Sequence, residues 1–141
     1  MMITVLMKYK QIILYLVFGV STTFVNWGIY SILIALIDME MTMSNALAWA
    51  GAVAFAFVTN KLFVFESKEV SIKVLIREIF IFLSARIFSG LFEIFLPTFL
   101  YSLGLRQSFL GIDGFAAKAI VSVIVIILNY VLSKMVVFKK N

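Results

Sequence analysis

Two opposite charges, Arg86 and Glu93, interrupt an otherwise apolar stretch that runs from Ile79 to about Leu105. An ionisable side chain held in hydrocarbon is costly, and normally faces a bundle interior, a polar cavity or another charge. Residues at i, i+3, i+4 and i+7 share a helix face, so Arg86, Ser89, Gly90 and Glu93 form one stripe. Arginine grips phosphate through a planar fork of donors, and a lysine such as Lys118 serves the same ligand as a point charge. Glu93 has two tasks open to it: holding these cations while the site is empty, or accepting hydrogen bonds from sugar hydroxyls. A structural ion pair between Arg86 and Glu93 is the competing reading.

Composition removes most other chemistries. The 141 residues are 64% hydrophobic and only 13% charged, with no Cys and no His. Soluble domains carry about 25% charged residues, so most of this surface must meet lipid. Thiolate and imidazole metal sites, disulfides, cysteine nucleophiles and His-based acid–base catalysis are excluded. Neither glycine-rich nucleotide fingerprint occurs, so no cofactor and no metal is expected. Glu93 is the only carboxylate within a span and lacks the second one that glycosyl chemistry needs, which argues against an enzyme. The net charge of +5 is concentrated at the ends of apolar runs, which points to anionic headgroups rather than nucleic acid.

The elements that must position these residues are four apolar spans, at about 11–37, 41–60, 79–105 and 114–133. Each is long enough to cross about 30 Å of hydrocarbon. The first exceeds a signal-peptide core and has no small-residue cleavage site, so it is expected to be retained. Lys8 and Lys10 precede it; Lys61, Lys68, Lys73 and Arg77 fall between spans two and three; Lys134, Lys139 and Lys140 follow span four. The opposite loops hold Asp38, Glu40, Arg106 and Asp113. The positive-inside rule puts both termini and the 61–78 loop in the cytoplasm. The expectation is an all-α integral membrane protein of the cytoplasmic membrane, a single transmembrane domain over 1–141. Glu66 to Glu78 is long enough for a short interfacial helix.

An internal repeat is visible. Thr59–Phe65 aligns with Leu132–Phe138: each has a polar residue, a Lys and an aliphatic run ending in Phe. A duplicated two-helix hairpin explains this, the copies keeping one orientation. Leu16, Thr22 and Asn26 then fall opposite Leu83, Ser89 and Glu93.

Every span has one polar or small face. Span one offers Gly19, Thr22, Thr23, Asn26 and Tyr30; span two Ala48, Ala52, Ala56 and Asn60; span four Lys118, Ser122, Asn129 and Ser133. Small residues let membrane helices approach closely, and that is the reading for the alanine stripe. By helical rise, Arg86 lies ~14 Å in from Arg77, near the height of Asn129, while Glu93 is ~10 Å higher. The expected cavity has Arg86 and Asn129 at mid-depth and Glu93 facing Lys118 nearer the outer surface, with Asn26, Thr22, Ser89 and Ser122 completing a polar lining. Asn60, Lys61 and Lys134 mark the cytoplasmic boundary.

These residues, in this order, resemble the GtrA-like family of small four-span membrane proteins of polysaccharide and teichoic acid glycosylation. The resemblance rests on Tyr15–Gly19 leading to Asn26, on Asn60–Phe65, and on Arg86 with Gly90. It continues through Lys118, Asn129-Tyr130, Ser133-Lys134 and Val137-Phe138, and extends from about Lys10 to Lys139. It departs where the family often has a basic pair after the span-two Asn, since Leu62 follows Lys61. The resemblance implies a protein that moves a polyprenyl-phosphate-linked monosaccharide across the membrane, with a membrane glycosyltransferase as functional partner. A homo-oligomer is compatible with it. Two other readings compete: a small multidrug-type exporter, disfavoured by the cations Arg86 and Lys118, and a non-transporting partner of a glycosyltransferase.

Overall fold

The computed structural model describes residues 1–109, 111 and 114–139; Asp113 and Lys140 lie outside the described residues. The regular elements among the described residues are helices: α1 (Met2–Ala35), α2 (Met41–Thr59), α3 (Ile72–Ser102) and α4 (Phe115–Leu132). π-helical turns, Asn60–Val64 and Ser133–Val137, continue α2 and α4. All four helices are long and apolar enough to cross a membrane. The chain divides into two compact units, Met1–Val70 and Ser71–Asn141.

In the first unit α1 packs on α2. No breaker interrupts α1 before Asp38, whose left-handed backbone (φ +56°) turns the chain. Glu40 then caps α2: its two carboxylate oxygens accept the N–H groups of Thr42 at 2.9 Å and Met43 at 3.0 Å. These bonds hold the Glu40 carboxyl below its usual pKa, and satisfy donors that a helix start otherwise leaves free. The stripe Ala48, Ala52, Ala56 and Asn60 is buried, as close helix packing requires. At Gly51 a Cβ would overlap Ile29 Cδ1 of α1, so the Ile29 side chain fills the space that the glycine leaves.

The second unit repeats this plan, with α3 packed on α4. Gly114, in left-handed conformation with φ +71°, opens α4, and a Cβ there would meet Tyr101. Moving from 60 to 133 superimposes the buried faces. Ala48, Ala52, Ala56, Asn60, Val64 and Phe65 fall on Val121, Val125, Asn129, Ser133, Val137 and Phe138, all buried. Both π turns close with the same hydrogen bond, from Phe65 N–H to the Asn60 carbonyl and from Phe138 N–H to the Ser133 carbonyl, each 2.9 Å. On the long helices the sequence alignment of Leu16 with Leu83 brings Tyr15 opposite Phe82, again both buried.

One expectation is corrected. Glu66 to Glu78 does not form a separate helix: 66–71 is non-helical, and Ile72–Glu78 is the first part of α3. Glu66 takes a left-handed backbone (φ +49°), which lets Ser67 N–H reach back to the Lys61 carbonyl at 2.8 Å and end the π turn. The chain leaves α2 in a tight cap rather than in a helical run.

Candidate functional site

The second unit carries the charged candidates. Phe82, 1% exposed, is packed 6.2 Å from the Phe138 ring, centroid to centroid. One turn further along α3, the half-buried Arg86 lays its guanidinium over Phe82, with Cζ 4.9 Å from the ring centroid. Side chains on a helix lean toward its N-terminus, which is why a residue at i reaches the ring at i−4. Among the described residues no carboxylate lies within ion-pair distance of Arg86. The stacked face of the guanidinium is occupied, and the N–H edges remain available to an anion.

Lys134 repeats the device from the π turn. Its Nζ lies 5.7 Å from the centroid of the Tyr130 ring and donates to the Tyr130 hydroxyl at 3.5 Å. Asn129 is 7% exposed, and its Oδ1 accepts no hydrogen bond from the described residues. A buried amide oxygen without a donor costs about 1–3 kcal/mol, a cost that a ligand hydroxyl or a moving donor relieves. Ser89, also buried, donates from Oγ to the Arg86 carbonyl at 3.1 Å.

The structure does not bring Glu93 and Lys118 together. Both are exposed, and no ion pair joins them. The Phe82–Phe138 contact sets the register of α3 against α4. From it, helical rise puts Arg86 ~6 Å and Glu93 ~16 Å along α3, while Gly114 beside Tyr101 at the far end puts Lys118 ~22 Å along. Arg86 and Lys118 therefore belong to different levels and do not grip one phosphate at once. Glu93 does not pair with Arg86 either, because the guanidinium turns toward Phe82, away from it. Ser122 is half-buried beside Val121 rather than on the buried stripe, which follows 117, 121, 125, 129 and 133. The packed face of α4 and its polar face coincide only at Asn129 and Ser133.

In the first unit, Thr22 and Asn26 are half-buried on α1, and Thr22 Oγ1 donates to the Phe18 carbonyl of its own helix at 2.8 Å. Asn60 is buried in the π turn; its Nδ2 donates to the Ala56 carbonyl at 2.7 Å, while Oδ1 has no partner among the described residues. Lys61 is 3% exposed and donates to Ser67 Oγ at 3.1 Å, so it is a packed residue rather than an anchor reaching out to headgroups. Phe18 stacks on Phe63 at 5.5 Å. Lys10 and Glu66 form an exposed ion pair at 3.7 Å, of a kind that contributes little.

Sequence reasoning missed Phe82, Pro97 and the buried Glu78, and named Tyr130 without its contact to Lys134. Both aromatic shelves stand four residues before their cation, a signal hidden by the abundance of aromatics. Pro97 lies inside α3 and has no N–H to give the Glu93 carbonyl, its i−4 acceptor.

Residues 14–138 match the family described as GtrA/DPMS, transmembrane domain. A protein of Listeria innocua named cell wall teichoic acid glycosylation protein GtcA is 36% identical, over 92% of this chain and 85% of its own. The Listeria monocytogenes protein of that name is 33% identical, over 94% and 87%. An uncharacterised membrane protein of Bacillus subtilis, YwcD, is 32% identical over 91% and 96%. No solved structure matches. With four helices able to cross a membrane and this match over nearly its whole length, the chain is a multi-pass protein of a bacterial cell membrane and belongs to the GtrA/DPMS transmembrane-domain family.

Proposed function

We propose that this protein serves the glycosylation of cell wall polymers by carrying a polyprenyl-phosphate-linked monosaccharide across the membrane, without being an enzyme itself. The observation that carries the reading is Arg86: a cation within a span, stacked on Phe82 and free of any carboxylate partner among the described residues. Charge at that depth is retained only where something compensates it, and a phosphate diester offers one negative charge with oxygens that fit the guanidinium fork. The orphaned amide oxygen of Asn129 takes a hydroxyl donor. The long tail stays in lipid, which the exposed apolar flank of α3 tolerates. Both termini are cytoplasmic, by the distribution of Lys and Arg. The sugar is loaded inside by one membrane glycosyltransferase and used outside by another. The names of the Listeria relatives support the assignment to teichoic acid decoration.

A deletion strain tests this. Its wall polymer loses a sugar substituent; the native chain restores it, and Arg86→Gln, expressed to the same level, does not. Full restoration by Arg86→Gln overturns the reading.

A further inference from the structure

Glu93 and Pro97 lie on adjacent turns of α3, on the side that the rest of the chain leaves exposed or half-buried. Pro97 removes the N–H that would bond the Glu93 carbonyl. Residue 93 therefore presents two kinds of acceptor: its carboxyl oxygens, which lean toward the turn before it, and its main-chain oxygen, which points toward the turn after it. Neither meets a donor from the side chains nearby. Ser89, one turn away, spends its hydroxyl hydrogen on the Arg86 carbonyl. On the face it shares, Glu93 has Gly90, Leu96 and Pro97 as neighbours beside Ser89, and none of these three carries a side-chain donor. The Glu93 side chain forms no ion pair or hydrogen bond among the described residues. Acceptors without donors in an apolar setting call for a ligand rich in hydroxyl groups.

Resting on the reading of Arg86 as the phosphate site, we infer that Glu93, with the main-chain oxygen freed by Pro97, is the sugar-hydroxyl site of the same ligand. Helical rise separates the two backbone positions by ~10 Å, and with the guanidinium leaning toward Phe82 the gap is filled by a phosphate followed by one hexose ring. The pair acts as a ruler that admits a monosaccharide and leaves no room for a longer glycan between phosphate and acceptors. Glu93 touches the sugar; Pro97 is a positioning residue that acts through the Glu93 carbonyl.

The test uses the full chain in nanodiscs and two probes, a short isoprenyl phosphate carrying a hexose and the same phosphate carrying a methyl group. The native protein prefers the hexosyl probe by about tenfold, as two added hydrogen bonds supply. Glu93→Gln and Pro97→Ala each cut that preference, read as the ratio of the two affinities, to about threefold or less, and Glu93→Asp retains part of it. A preference unaltered in both Glu93→Gln and Pro97→Ala overturns the inference. Arg86→Gln reads the other site: weakened binding of both probes keeps the phosphate reading standing whatever happens at Glu93. Unaltered methyl-probe binding in Arg86→Gln overturns that reading and, with it, the ruler.

Discussion

Arg86 rests its guanidinium on the ring of Phe82, and Phe82 in turn packs against Phe138, so the cation is held by a chain of aromatic contacts that ends at the π turn following α4. The arrangement fixes a charge without a counter-charge, and leaves the guanidinium edges for an anion. Lysine reproduces the charge but neither the planar stacking nor the donor fork. Arg86→Lys is expected to retain folding and lose most of the sugar decoration, measured as wall-polymer substitution in a complemented deletion strain. Decoration at the native level would separate the fork from function.

Phe138 and Phe65 hold equivalent places, each buried and each donating its N–H to the first residue of its π turn. Truncating a buried phenylalanine costs about 3–5 kcal/mol through lost transfer energy and the cavity left behind. Phe65→Ala and Phe138→Ala should lower thermal stability in detergent by similar amounts. Losses far apart in size would mean that the two π turns are not equivalent supports.

The glycines of the first unit should separate sharply. At Gly51 an added Cβ overlaps Ile29, whereas nothing lies within 4 Å of a Cβ at Gly19. Gly51→Leu is predicted to lower the melting temperature strongly. Gly51→Ala is predicted to lower it slightly, since only the end of Ile29 must shift. Gly19→Ala is predicted to be neutral. Equal tolerance of leucine at both positions would contradict the packing of Ile29 against Gly51.

Glu40 supplies a pH dependence. Its carboxyl is held below the usual value of 4.5 by the Thr42 and Met43 N–H groups. A depressed folded-state pKa stabilises above the unfolded value and is lost as pH falls through the folded one. The melting-temperature difference between the native protein and Glu40→Gln should be largest near pH 7 and shrink steadily below pH 4.5. A difference that grows on acidification would contradict the capping role.

The spans, the hairpin repeat and the tight alanine face were legible in the sequence because hydrophobic runs and small-residue spacing report directly on lipid exposure and helix contact. The match of Ala48, Ala52 and Ala56 to the buried face of α2 follows from that. The partners of the charges were not legible. Depth counted by helical rise from the span ends suggested that Glu93 faces Lys118, but such counting carries no register between two helices. That register comes from the Phe82–Phe138 contact and from Gly114 beside Tyr101, and no ion pair joins Glu93 to Lys118. Lys61 read as a boundary anchor because exit signals are generic; its burial depends on the π turn, which periodicity at 3.6 residues does not reveal.

The central claim is transport of a lipid-linked sugar, and the most direct measurement is made in liposomes containing only the purified chain. A labelled isoprenyl-phosphoryl hexose placed in one leaflet should appear in the other much faster than in protein-free liposomes. Arg86→Gln should cut the protein-dependent rate at least about tenfold, the effect of removing ~1.4 kcal/mol of stabilisation from the crossing state. A rate equal to that of protein-free liposomes, with protein shown to be folded and inserted, would contradict the account and leave the chain a non-transporting partner.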